Sequence, residues 1–410
     1  MLLHDRAVTI VVATALGLRL VWLFYAQPTP VSDFNDYRTL ASDLLGHGQF
    51  GYPEPTAFFL PLHPLVLAGL MVISDHDLWL GFGMVLLSTL ACFLVIRVAL
   101  RIWGNRRISL IAGWLMAVFP VFVLYSPVLA TEHLFVVLTL CAMLLVLRLT
   151  EGPSPRIALA SGIVLGLAGL TRGEGLFYVP AFLVFLWWGA RLAGTRARLA
   201  HSGLLVAGVI LVLTPWWVRN SLVVAPDAGL SSSAGVNFYF AHNDSGFYGP
   251  YEGGPLDELD AAEASRLGWR LGFEYLAENP LRLVQDIHTG TARLFGAPDY
   301  AVFWSTREAA FRGDPTLGSK PLRLAGALGQ LSNVAAAFLT AVAAASVFGW
   351  RRWPRQALTL LLPLILSPWL LRTVLYWAKP RFRFLFDVLS LLFAAFAIQL
   401  LSGRTEPEPA

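Results

Sequence analysis

Residues 31–64 read VSDFNDYRTLASDLLGHGQFGYPEPTAFFLPLHP, and the side of a membrane on which they lie decides the fold. The stretch follows an apolar run, Ala7–Tyr25, that is interrupted only by Arg19. It carries two carboxylates, Asp33 and Asp36, one turn apart, ahead of a predicted helix over Tyr37–Leu45. A Gly/Pro-rich segment and the pair Pro61 and Pro64 then lead into further apolar sequence. If Pro61–Ser74 crossed a bilayer, every later loop would change sides and Arg106 and Arg107 would fall outside. If it lies along the outer surface, the basic clusters fall into one register. Arg101/Arg106/Arg107, Arg148/Arg156, Arg191/Arg196/Arg198, Arg351/Arg352/Arg355 and Arg404 then share the side of the N-terminus, as the positive-inside rule requires. Asp33, Asp36, Asp43, Glu54, Asp75, Asp77 and almost all acids between Asp227 and Asp314 face the other way. The stretch is therefore expected to be an extracytoplasmic loop, with both chain termini cytoplasmic.

Composition supports a membrane setting. The 410 residues are 56% hydrophobic and 14% charged, against about a quarter charged in ordinary soluble domains. A hydrocarbon layer of about 30 Å needs about 20 apolar residues per helix. Candidate spans fall at Val8–Tyr25, Leu78–Ala99, Ile108–Tyr125, His133–Leu149, Ile157–Leu170, Leu176–Gly189, Leu199–Trp217, Leu322–Trp350, Ala357–Trp377 and Phe384–Leu401. The expected fold class is an all-α polytopic membrane protein of about ten spans in the cytoplasmic (inner) membrane. The first apolar run is too long for the core of a signal peptide and is expected to be a retained anchor.

The organisation follows from the same parse. Residues 1–217 form an N-terminal transmembrane module that includes the acidic outer loop 27–77. Residues 218–321 form an extracytoplasmic region, 322–403 the last spans, and 404–410 a polar tail expected to be disordered. Within the second region SSSAGVNFYFAHNDSGFYGPYEGGP has no helical period and reads as a structured loop. Leu256–Phe295 is helical in pattern, broken at Asn279-Pro280, and suits helices on the membrane interface or packed on an outer domain. Cys92 and Cys141 lie in apolar runs and read as buried hydrophobes. No repeat, P-loop, dinucleotide fingerprint or zinc-type Cys/His spacing occurs, and the net charge of +4 gives no reason to expect nucleic acid.

Several segments together resemble the GT-C glycosyltransferases, above all their bacterial family 39-like or ArnT-like branch. They are SDFNDYRTLASDLL, PTAFFLPLHPLVLAGL, TEHLF, GLTRGEGLFYVP, PWWVRN, AGVNFYFAHN and YWAKPRFRFLFDVLSLL. The likeness covers most of the chain and is strongest from Ala7 to Arg219. It departs at Phe34, where some members have Glu, and at Phe58–Pro61, which lacks a basic residue often found there. The resemblance implies an inverting transferase that moves a sugar from a polyprenyl-phosphate donor to a glycan, lipid or protein acceptor. It also implies that Asp33 is the catalytic carboxylate by position.

The chemistry asks for few groups. Phosphate is a good leaving group, so one carboxylate to take the acceptor proton and cations for the departing phosphate suffice. Asp33 is the expected base, with Asp36 as orienter or substitute; capping of the following helix is the structural alternative for both. No cofactor is required, although a divalent metal between the two aspartates stays open because hard cations favour paired carboxylates. Lys379, Arg381 and Arg383 form an outer cation cluster that runs against the positive-inside trend, which an anionic lipid phosphate would explain. Snorkelling to headgroups is the alternative. Arg172 could touch phosphate or pair with Glu174, and Glu132 could line the cavity or simply complement a helix N-terminus. Arg219 and Asn220 follow an interfacial Trp pair. His242 and Asn243 are candidates for sugar hydroxyls, and Tyr37 and His63 complete the candidate substrate contacts. Asp387 is expected to pair with Arg383. A non-enzymatic flippase of lipid-linked sugars is the competing class, disfavoured because the spans carry few charges and no repeated halves. An assembly subunit with a decayed catalytic loop is a third.

Overall fold

The computed structural model describes residues 5–244, 254–296, 300–311, 319–376 and 378–402. Among them every regular element is helical. In chain order these are α1 (Arg6–Ala26), α2 (Asp33–His47), α3 (Leu62–Met71), α4 (Asp77–Trp103), α5 (Arg106–Val118) and α6 (Pro120–Leu124). Then come α7 (Thr131–Leu147), α8 (Pro155–Thr171), α9 (Val179–Trp188), α10 (Gly194–Val223), α11 (Ser233–Ala241) and α12 (Ala261–Glu278). The last are α13 (Arg282–Leu294), α14 (Tyr300–Phe311), α15 (Ser319–Ala345), α16 (Leu362–Leu370) and α17 (Phe384–Leu401).

Among the described residues, seven helical stretches are long and apolar enough to cross a membrane: Arg6–Ala26, Asp77–Trp103, Thr131–Thr150, Gly194–Val223, Gly326–Arg352, Ala357–Leu375 and Pro380–Leu401. Leu62–Met71, Pro155–Thr171 and Gly173–Trp188 are shorter apolar helices. The first of these, α3, is ten residues long and packs on α2 and α4, so Pro61–Ser74 is no full span.

One expected span is broken. Ile108–Tyr125 is not continuous: α5 stops at Val118, Phe119 is extended, and Pro120 starts α6. Proline has no N–H to donate, and its ring would collide with the carbonyl four residues back. The carbonyls of Met116 and Ala117, freed at this break, accept hydrogen bonds from Arg19 at 2.9 and 3.2 Å. The same guanidinium reaches the Ala15 carbonyl and the Ser88 hydroxyl. Arg19 is fully buried in an apolar run because it replaces the missing backbone donors.

A second expectation also changes. The segment read as a structured loop without helical period contains α11, two turns packed against α12. Its small residues hide the period, and contact supplies what propensity does not: a Cβ on Gly235 would collide with the Ser265 carbonyl. Close backbone approach also joins α8 to α10, where a side chain on Gly162 would strike the Leu205 carbonyl. Residues 245–253 of the expected loop and the tail 404–410 lie outside the described residues.

The bundle has two distinct ends. At one, Arg106 pairs with Asp5 at 2.8 Å, Arg101 pairs with Glu151, and the Arg191 N–H donates to the Leu149 carbonyl. At the other, the first turns of α2 and α7, the turn after α8 and the turn before α17 converge on a cavity.

Candidate active site

The cavity is about 830 Å³. Its most polar side is a chain of alternating charges contributed by five separate segments. Arg381 Nη2 lies 3.0 Å from Asp33 Oδ2, and its Nε lies 3.3 Å from Glu132 Oε1. Arg172 continues the chain, with Nη1 2.9 Å from Glu132 Oε1 and Nε 2.8 Å from Glu174 Oε1. Arg372 closes it, 2.6 Å from Glu174 Oε2, with its guanidinium 3.9 Å above the Phe382 ring. Three acids thus face three guanidiniums, which offsets the cost of burying either sign alone.

Local structure explains each placement. Asp33 opens α2 and Glu132 sits in the first turn of α7, where the helix dipole favours anions. Ser32, just before Asp33, has φ 55°, a left-handed conformation that non-glycine residues rarely adopt, and it makes no side-chain cap bond. Arg172 is extended between α8 and the turn Gly173–Tyr178. Arg372 lies in the widened turn Leu371–Leu375 that follows α16, and Arg381 in the tight turn Pro380–Arg383 before α17.

The three carboxylates differ in access. The Asp33 side chain is 39% exposed, against 3% for Glu132 and 6% for Glu174, so Asp33 is the one a substrate can reach. Asp36 does not line the cavity; burial, with the like charge of Asp33, raises its pKa. Lys379 does line it, and burial together with Arg381 lowers its pKa to about 8, against the opposing pull of Asp33. Such a set can accept a proton at one point and hold an anion beside it.

Of the residues singled out from sequence, Asp33, Tyr37, Arg172, Glu174, Lys379 and Arg381 line the cavity, and Glu132 lies directly behind it. Tyr37 stands edge-on to Phe59 and to His63, whose buried Nε2 bonds the Leu129 carbonyl. The others fall away from the cavity wall. Arg219 donates to the Thr56 and Phe50 carbonyls and stacks on Trp216, and Asn220 donates to the Gly229 and Leu230 carbonyls. His242 bonds the Val374 carbonyl, Asn243 folds back on the end of α11, and Arg383 pairs with Asp387 at 2.8 Å.

Arg372, Tyr300 and Trp304, none of them among the residues expected from the sequence, line the same cavity. Arg372 had a signal: a lone basic residue inside an apolar span is a functional hypothesis by default. Tyr300 and Trp304 had none beyond being aromatic.

Among the described residues the donor set does not suit a metal centre of three or more protein ligands. No group of three or more His, Cys, Asp or Glu side chains among the described residues is placed to hold one, and Asp33 and Glu132 are both engaged by guanidiniums.

This architecture is an all-helical, multi-pass membrane fold among the described residues, and it is shared with solved structures. Residues 54–218 match the family described as dolichyl-phosphate-mannose-protein mannosyltransferase. Among solved structures the chain is similar to the oligosaccharyltransferase AglB of the archaeon Archaeoglobus fulgidus in complex with an inhibitory peptide and a dolichol-phosphate. The TM-score is 0.55 at 14% identity, over 96% of this chain and 50% of that one. The same oligosaccharyltransferase in complex with zinc and sulfate gives 0.54 at 15% identity, over 96% and 49%. ArnT from Cupriavidus metallidurans, bound to undecaprenyl phosphate, gives 0.48 at 17% identity, over 97% and 78%. The chain spans about half the length of the oligosaccharyltransferase. No curated protein matches it in sequence.

Proposed function

We propose that this protein is an inverting membrane glycosyltransferase that moves a sugar from a polyprenyl-phosphate donor to an acceptor hydroxyl on the extracytoplasmic side. The observation that carries the reading is the meeting of an exposed carboxylate, Asp33, with Arg172, Arg372, Lys379 and Arg381 in a single cavity at one end of the bundle. The end bearing Arg101, Arg106 and Arg191 is then cytoplasmic, with both termini, by the positive-inside rule. The cavity faces the other side of the cytoplasmic membrane.

In this reading Asp33 takes the proton of the acceptor hydroxyl as that oxygen attacks the anomeric carbon. The bond from that carbon to the phosphate oxygen breaks, and its electron pair leaves with the phosphate. Lys379 and the guanidiniums offset the charge gathering there, while Arg381 fixes the orientation of the Asp33 carboxylate. No step draws on a metal.

Mass spectrometry of cell-envelope glycans and lipids, with and without the protein, tests the reading. Loss of a single sugar from one envelope component is the expected result. Unchanged glycans, together with movement of lipid-linked sugar across proteoliposomes that contain the protein, would replace the transferase with a flippase.

A further inference from the structure

Arg372 belongs to two walls at once. With Tyr376 it lines the main cavity, and the same two side chains line a second cavity of about 20 Å³. The widened turn Leu371–Leu375 that carries Arg372 therefore lies between the two. Such turns are rare, and the last carbonyls of any helical segment have no partner inside it. Neighbouring segments hold this one in shape. A Cβ on Gly290 of α13 would lie 3.3 Å from the Thr373 Cα, so helix and turn are in close contact. Just before the turn, Trp369 Nε1 donates to Thr291 Oγ1 of α13 at 3.1 Å. Near its end, the Val374 carbonyl lies 3.1 Å from His242 Nε2.

His242 is held ready for that bond. It follows the last residue of α11, and its own N–H closes the helix on the Phe238 and Tyr239 carbonyls. Its ring is 1% exposed and lies edge-on to Phe238, with centroids 4.7 Å apart. A carbonyl can only accept, so Nε2 carries the hydrogen that reaches Val374. On the far side of the ring, Asp286 Oδ2 of α13 stands 3.7 Å from Nδ1, an ion-pair distance. Burial pushes the His242 pKa down, and the Asp286 carboxylate pulls against that. The group behind one ring nitrogen settles what the other can do. Asp286, His242 and the Val374 carbonyl are thus linked in series, from α13 through the end of α11 to the turn.

We propose that His242 is a positioning residue for the transfer reaction: by capping the end of the turn it holds Arg372 where the donor phosphate can meet it. The proposal rests on the transferase reading above, in which Arg372 is one of the cations beside that phosphate. His242 is not part of the main cavity's lining, so it acts through Arg372 and not on the substrate. The guanidinium is fixed at its tip by Glu174, 2.6 Å away, and the backbone that carries it is fixed by His242. Both ends are needed, because a charged group placed loosely binds a phosphate less well than one whose supports are themselves locked.

The test is a titration of the full chain in detergent with farnesyl phosphate, using farnesol as the uncharged control. Arg372→Gln, which leaves Glu174 paired with Arg172, should weaken farnesyl phosphate about tenfold, the scale of one charged hydrogen bond. His242→Ala should weaken it by a similar factor and leave farnesol unchanged. The double variant should bind no more weakly than Arg372→Gln alone, because two residues that act through one contact are not additive. His242→Gln, whose amide can donate to the same carbonyl, should recover affinity to within about twofold. That variant carries the test if His242→Ala fails to fold. A purely structural His242 would lower the thermal midpoint without this phosphate-specific, non-additive loss. Sensitivity to Arg372→Gln with none to His242→Ala, fully additive losses, or no recovery in folded His242→Gln would overturn the proposal and leave the transferase reading standing. Wild-type protein that binds no farnesyl phosphate would remove both. Phosphate binding coupled to His242 in a protein that transfers no sugar would keep the positioning of Arg372 and remove the transferase reading.

Discussion

Asp33 and Arg381, 348 positions apart in the chain, meet through a 3.0 Å hydrogen bond from Nη2 to Oδ2. The same guanidinium also faces Glu132, so the exposed carboxylate is tied to a buried ionic chain that ends at Arg372. A loop that begins just after the first apolar run is thereby fixed by the turn before the last one.

Glu132 holds that chain together. Glu132→Gln would leave Arg172 and Arg381, 9% and 13% exposed, facing each other without the charge between them. Removing one partner of a buried ionic set costs on the order of 3 kcal/mol. A marked fall in the thermal midpoint in detergent is expected, with transfer lost even at low temperature. An unchanged midpoint would show that the chain is not cooperative.

Lys379 should give the reaction an alkaline limit. Its pKa of about 8 means the cation is present below that pH and lost above it. If Lys379 binds donor phosphate, the donor KM should rise as pH passes about 8, and Lys379→Arg should flatten the profile. For stability the sign is opposite. The folded state releases this proton before the unfolded chain does, so the fold gains stability as pH rises from about 8 toward 10.5. A donor KM that is flat to pH 9.5 would take Lys379 out of the site.

Arg19 tests the architecture apart from the chemistry. Arg19→Leu leaves the Met116 and Ala117 carbonyls buried without a donor. A loss of about 3 kcal/mol is expected, since each orphaned acceptor costs about 1–3 kcal/mol and such terms are not additive. The acceptor KM of the folded fraction should not move. Thermal unfolding and steady-state kinetics on one preparation separate the two effects.

The spans were legible because apolar length and the side bearing arginines are properties of the sequence itself. The break at Phe119-Pro120 was written there too, since Pro120 cannot continue a helix, but the apolar run around it masked the signal. In the site, Asp33, Arg172, Glu174 and Arg381 were recognisable as charges at the ends of apolar runs. Their mutual pairing was not, because it depends on which helix ends meet in three dimensions. Arg219, Asn220 and His242 looked like substrate contacts for the same reason, being polar residues at an outer face. In the fold their side chains bond backbone carbonyls of neighbouring segments. Nothing in the sequence alone distinguishes a polar side chain that meets a ligand from one that meets a carbonyl.

The central claim is that Asp33 is the base, and transfer by Asp33→Asn tests it most directly. Purified protein in nanodiscs, given a polyprenyl-phosphate sugar and its acceptor, should lose transfer by at least about a hundredfold, the lower range for a general base. Its thermal midpoint should stay near that of the unaltered protein, because Asp33 is the most exposed carboxylate in the chain of charges. Asp36→Asn, away from the cavity, should retain most of its activity. Unaltered transfer by Asp33→Asn would contradict the account.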